Sequence, residues 1–143
     1  MEEAPIVVDL NVLLAAVLNP YGYTASVLLQ LYIVGARLYV PDYIHEEFRR
    51  ILTRLAQRKS IEAEALIERF NAILKILTEV SVEEYTQYME EAEGLVNDPK
   101  DSPYVALALH LTQRYGNAVI LTYNQEDYKV EELEERRVAV RRP

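Results

Sequence analysis

The side chains able to do chemistry in this chain are mostly carboxylates, and they fall at four places. These are Asp9 in "VVDLN", Glu46 or Glu47 in "IHEEF", Asp98 or Asp101 in "NDPKDSP", and Asn124 or Asp127 in "TYNQEDY". Oxygen ligands of this kind suit hard divalent cations, Mg²⁺ or Mn²⁺, which keep several waters while one or two carboxylates hold them directly. The chain has no Cys, so a thiolate zinc site and a thiol nucleophile are excluded, and His45 and His110 lie too far apart in sequence to suggest a zinc pair. Asp9 poses the sharpest question, because it directly follows Ile6, Val7 and Val8. Burying a bare carboxylate costs several kcal/mol, so it calls for pairing, hydrogen bonding or a metal.

Taken singly, each acidic residue has an ordinary reading. Asp9 and Asp101 stand where helix N-caps belong, Glu47 sits on a helix whose polar face needs charge, and Asn124 and Asp127 suit a turn after a strand. Their joint occurrence at element ends is what points to a site.

The elements that would position them alternate along the chain. Residues 6–9 read as a buried strand, Asn11 to about Val17 as a short helix, and "NPYG" at 19–22 as a turn. A helix over 24–35 follows, capped by Thr24 and ended by Gly35, and "ARLYV" at 36–40 is a second strand. Pro41 suits the first turn of a helix carrying Ile44, Phe48, Ile51, Leu52 and Leu55, and Ser60 opens another with Leu66, Phe70 and Ile73 on its apolar side. "EVSV" at 79–82 is too short to assign, a Glu-rich helix runs from Val82 to about Leu95, and 97–103 is a loop. Asp101 and Pro103 open a helix that runs to Tyr115; "NAVILTY" at 117–123 is an apolar strand, and "RVAV" at 137–140 is a last one. Strands separated by helices predict an α/β fold with a central parallel sheet flanked by helices. Ligands gather beyond the carboxyl ends of such strands, where both Asp9 and Asn124 fall.

At 143 residues, with no repeat, low-complexity tract or linker, residues 1–143 read as one domain. The absence of Cys fits a reducing compartment, no apolar run is long enough for a membrane span, and "MEEAP" lacks the basic start of a signal peptide, so a cytoplasmic protein is expected. The net charge of −8 argues against nucleic acid globally, but Arg49, Arg50, Arg54, Arg58 and Lys59 form one basic cluster and Arg136, Arg137, Arg141 and Arg142 another.

These motifs together resemble the PIN domain family, in particular its toxin-type, VapC-like ribonucleases. "VVDLNVLL" is similar to the family's opening strand and helix, with Asp9 as first acid and Asn11 in a D-x-N variant. "VPDYIHEEFRRIL" resembles the second motif, where spacing favours Glu47 over Glu46, and "DPKDSPYVALAL" the third, which places Asp101. "ILTYNQEDY" resembles the last, fitting Thr122, Asn124 and Asp127; Asn124 stands where many members have Asp. The resemblance implies a compact three-layer PIN-like domain and a metal-dependent endoribonuclease. Asp9, Glu47, Asp101 and Asp127 would hold Mg²⁺ or Mn²⁺, and Asn124 with Asp127 would position water. Thr122 and Asn11 would support them, and Arg49, Arg50 and Arg54 would guide the RNA backbone. It also implies a homodimer and an antitoxin partner.

Two other readings compete. One is a catalytically weak or inactive PIN-like module that binds RNA as a scaffold, since Asn124 brings no charge. The other is a phosphotransfer receiver domain, disfavoured because "VVDLN" lacks an adjacent acidic pair. Eleven Tyr, among them Tyr21, Tyr23, Tyr85 and Tyr88, offer more aromatic surface than one small core requires, which favours an interface.

Overall fold

The computed structural model describes residues 3–143. Five parallel strands, β1 (Ile6–Val8), β2 (Leu38–Pro41), β3 (Thr78–Val80), β4 (Ala118–Leu121) and β5 (Val138–Arg141), form a sheet in the order β3-β2-β1-β4-β5. Parallel strands need crossovers, and helices supply them: α1 (Leu10–Leu18), α2 (Tyr23–Ile33), α3 (Tyr43–Lys59), α4 (Ala63–Leu74), α5 (Val82–Tyr85), α6 (Met89–Glu93), α7 (Ser102–Tyr115) and α8 (Val130–Glu135). Among the described residues no single helix is long and apolar enough to cross a membrane.

The strand order matters for function. From β1 the chain steps outward to β2 and β3, then returns across the sheet to β4 and leaves in the other direction to β5, so the topology switches between β1 and β4. A crevice opens at such a point beyond the carboxyl ends. Val7 and Val8 of β1 are fully buried and pair with Ile120 and Leu121 of β4, which brings the residues just past both strands side by side. Beneath them runs α7, buried continuously from Ser102 to Leu109 and in contact with β1, β2 and β4. Ala106 and Ala108 of this helix are fully buried. On α3 and α4, the rings of Phe48 and Phe70 stack at 3.9 Å.

Several expected boundaries differ from those observed. Pro41 ends β2 instead of opening a helix: β1 pairs only with Leu38 and Tyr39, so the missing amide of Pro41 lies beyond the reach of β1. Gly22, not Thr24, caps α2, and the Thr24 hydroxyl bonds to Tyr123 at 2.5 Å. Ser60 terminates α3 in a left-handed conformation (φ 54°), so α4 begins only at Ala63. The Glu-rich segment is two short helices joined by a 3-10 turn, the break following Tyr85, whose ring is buried and whose hydroxyl donates to Asp42 at 2.8 Å. The loop over 97–103 contains a 3-10 turn at Pro99–Asp101, and α8 was not expected at all.

Candidate active site

Asp9 follows β1 directly and is only 3% exposed. Its position is that of an N-cap for α1, yet its side chain makes no capping hydrogen bond. The carboxylate is instead held from three sides, all at Oδ2: the Tyr128 hydroxyl donates at 2.8 Å, Thr122 Oγ1 at 2.9 Å and Asn11 Nδ2 at 3.2 Å. Burial pushes the Asp9 pKa up, against the Tyr128 and Thr122 bonds and the nearby amides of Leu10 and Asn11. These amides favour the charged form without reaching cap geometry.

Thr122 and Asn11 knit the two strand ends together. Besides donating to Asp9, Thr122 Oγ1 accepts from Asn11 Nδ2 at 3.1 Å and from the Asn124 amide at 3.0 Å, and Asn11 Oδ1 accepts the Tyr123 amide at 3.0 Å. A Thr at the end of β4 thus orients Asp9 across the switch point.

Glu47, on α3, accepts the buried Tyr104 hydroxyl at 2.5 Å. Burial lifts its pKa to about 7, against the Tyr104 bond and with Asp9's charge adding to the rise. Asp101 ends the 3-10 turn ahead of α7, is 3% exposed and makes no capping bond. Its Oδ2 is buried without a hydrogen-bond partner, as is Ser102 Oγ beside it. Burial, joined by repulsion from Asp9, Asp127, Asp98 and Glu47, raises its pKa to about 8. Lys100, despite the opposing effect of burial, is held above its usual range by Asp98, Asp101, Glu47 and Asp127.

Asp9, Glu47, Asp101, Asn124, Asp127 and Asn11 all line one cleft of about 390 Å³. Glu46 and Asp98 do not. Glu46 is exposed and pairs with Arg50 at 2.8 Å, while Asp98 caps the 3-10 turn by accepting the Lys100 amide. Arg50 and Arg54, four residues apart on α3, share the cleft with Glu47, whereas Arg49 points around the helix into an adjoining groove. Of the three arginines expected to guide RNA, Arg50 and Arg54 therefore stand with the acids and Arg49 stands apart from them. His45 pairs with Glu79 at 2.7 Å and His110 packs near Tyr88, so neither joins the acids.

The fit of a divalent cation turns on the donor set. Among the described residues no three acidic or histidine side chains stand in a ready ligating array, and Asp9 and Glu47 are already engaged by Tyr128, Thr122 and Tyr104. The unpartnered Asp101 oxygen and the mutual repulsion of the acids are nevertheless what a cation would relieve, and all the donors are hard oxygens. The donor chemistry is of the kind a divalent cation takes.

Tyr104, Tyr128 and Lys100 escaped the reading of the motifs. Tyr104 falls three residues after Asp101 and Tyr128 one after Asp127, positions that an apolar-periodicity reading assigns simply to core.

Comparison with known proteins agrees with this architecture. The PIN domain family model matches residues 7–126, and the chain belongs to the PIN domain family. In fold it is similar to the structure of VapBC2 from Rickettsia felis bound to a DNA fragment from their promoter, with a TM-score of 0.68, 16% identity and coverage of 96% of this chain and 97% of that one. It is also similar to PAE2754 from Pyrobaculum aerophilum, with a TM-score of 0.59, 14% identity and coverage of 96% and 83%. No curated protein matches the sequence.

Proposed function

We propose that this PIN domain is a metal-dependent endoribonuclease that hydrolyses RNA phosphodiester bonds, acting as the toxin of a toxin–antitoxin pair in the cytoplasm. The observation that carries the reading is the convergence of Asp9, Glu47, Asp101 and Asp127 on one cleft at the sheet's switch point, with a buried Asp101 oxygen lacking any partner. These four residues would hold Mg²⁺ or Mn²⁺, which supplies a nucleophilic water at neutral pH and neutralises charge on the phosphoryl oxygens. Thr122, Asn11 and Tyr128 fix the Asp9 carboxylate, and Tyr104 fixes Glu47. Asn124 and Asp127, which also line the cleft, orient water and substrate. Arg50 and Arg54 draw the RNA backbone along α3.

The toxin role rests on the family and on likeness in fold to VapBC2. An antitoxin is the proposed protein partner, and a homodimer the proposed assembly. Exposed apolar side chains on and beside α2, including Tyr21, Tyr32, Ile33 and Val34, support a protein interface, whereas Tyr85 is buried and contributes nothing to one.

Incubating the purified protein with structured and unstructured RNAs in Mg²⁺, Mn²⁺ or EDTA tests the proposal. Cleavage only with metal is expected, lost in Asp9→Asn and Asp101→Asn variants that remain folded. RNA binding without cleavage under every metal condition would instead select the inactive scaffold reading.

A further inference from the structure

The four acids of the cleft are not held alike. Donor side chains grip two of them, Tyr128, Thr122 and Asn11 at Asp9 and Tyr104 at Glu47. Asp101 Oδ2 has no such partner, and Asp127 stands at the end of the 3-10 turn Gln125–Asp127. Backbone must place these two, and the two stretches of backbone meet. Val96 and Tyr128 form an isolated antiparallel bridge, flanked by the Lys129 amide donating to the Leu95 carbonyl at 3.0 Å and the Asn97 amide donating to the Asp127 carbonyl at 2.8 Å. Asn97 adds its side chain, Nδ2 donating to the Glu126 carbonyl at 2.7 Å. One residue on, Asp98 caps the turn that ends at Asp101.

We infer that Asn97 is a positioning residue of the acidic site, aiming the Asp127 carboxylate and keeping its segment in register with the one that carries Asp101; the purpose of this clamp, though not its geometry, rests on reading the cleft as a cation site. The Glu126 carbonyl belongs to the peptide plane that precedes the Asp127 Cα, and the Asp127 carbonyl to the plane that follows it. Asn97 bonds both. The turn bonds the N–H groups of the same two planes, Asp127 to the Asn124 carbonyl at 3.0 Å and Tyr128 to the Gln125 carbonyl at 3.1 Å. With both planes held, φ and ψ of Asp127 are fixed and the direction of its side chain follows. The turn's own bonds give it shape, whereas those of Asn97 join it to the other segment and so set where it sits. Tyr128 leaves the same turn to reach Asp9, so the clamp bears on that carboxylate too. An ordinary tie between the two stretches exists for comparison: Glu91 of α6 pairs with Arg136 at 2.7 Å, and neither residue lines the cleft.

Asn97 is exposed, and Asn97→Leu stays close to its shape and leaves the main-chain bonds in place while removing the Nδ2 donor. In metal-free protein labelled with ¹³C at the aspartate carboxyl carbon, the Asp127 and Asp9 resonances should shift in this variant, and that of Asp42, bonded elsewhere to Tyr85 and Val82, should not. Mn²⁺ affinity, read by calorimetric titration, should fall about tenfold. Because Asn97 acts through Asp127, adding Asn97→Leu to Asp127→Asn should cost little more than Asp127→Asn alone. Arg136→Ala, which cuts only the exposed ion pair, should leave resonances and affinity at wild-type values. Unmoved Asp127 and Asp9 resonances in Asn97→Leu overturn the inference. So does a full further loss in the double variant, or an equal effect from Arg136→Ala, either of which reduces Asn97 to a structural tie. The metal-free resonances keep the two readings apart. A wild-type protein that ignores Mn²⁺ while Asn97→Leu still moves Asp127 and Asp9 keeps the positioning role and defeats the cation site, and equal Mn²⁺ binding in wild type and Asn97→Leu does the reverse.

Discussion

A carboxylate at the end of a buried strand is explained, at the scale of the residue, by the company it keeps. Asp9 is ringed by Tyr128, Thr122 and Asn11, three donors on one oxygen, so the burial that would otherwise neutralise it is partly offset and its direction is set. Thr122→Val keeps the shape but removes the link between Asp9, Asn11 and the Asn124 amide. If Asp9 holds a cation, metal affinity measured by calorimetric titration should fall about 10–100-fold, the usual cost of losing such a supporting contact. Unchanged affinity would reduce Thr122 to a strand terminator. Glu46 and Glu47 make a matched control, because only Glu47 faces the cleft. Glu47→Gln should reduce turnover by at least the same 10–100-fold, and Glu46→Gln should leave it near wild type; the opposite order would move the site by one residue. Asp9 was legible in the sequence because a charge beside an apolar run is costly without a reason, and Asp101 because it stands where a helix opens. Tyr104 and Tyr128 were not, because a tyrosine at a core position has the same pattern whether its hydroxyl serves a carboxylate or merely reaches solvent.

At the scale of the element, α3 does two things at once, and the helical repeat decides which residue does which. Glu47, Arg50, Ile51 and Arg54 lie on the cleft side, while Glu46 and Arg49 lie on the groove side. Arg50→Ala with Arg54→Ala should weaken binding of single-stranded RNA and flatten its dependence on salt, by roughly 0.7 in the log–log slope for each phosphate contact removed. A slope equal to that of wild type would return both arginines to a solvated helix face. Strands β1, β2, β4 and β5 and the long helices were legible from their apolar residues, whereas β3, three residues of which only Val80 is buried, was too short to read. Three features were hidden for identifiable reasons. "VEELEE" looks like solvated charge and buries only Leu133, so α8 left almost no apolar signature. The break after Tyr85 has no Pro or Gly to announce it, and the hydroxyl there reaches Asp42 on another element, a contact that the local sequence does not show. Pro41 looked like a helix opener because a sequence does not show that the neighbouring strand stops short of it.

The whole molecule bears the consequence of gathering acids at one rim, and its stability should show it. Asp101 and Glu47 have folded-state pKa values of about 8 and about 7, and that of Asp9 is raised too, all above the unfolded value near 4. With the folded form binding protons more tightly, this contribution is fully present below about pH 4 and is lost as pH climbs toward 8. Each group withdraws stability inside its window, so the metal-free protein should unfold at lower urea concentration at pH 8 than at pH 6. Burial and mutual repulsion cause the shifts, and a cation in the cleft relieves the repulsion. Mg²⁺ or Mn²⁺ at about ten times its dissociation constant should stabilise by roughly 1.4 kcal/mol, raising Tm by roughly 3–6 °C for a chain of this length. Asp101→Asn separates this account from a simple loss of structure. Without metal at pH 8 it should melt higher than wild type, because it removes a buried and repelled charge, and with metal it should gain less, because the same carboxylate would hold the ion. A thermal-shift series in which wild type ignores both metals and Asp101→Asn merely melts lower would mean that the acids share a cleft without sharing an ion.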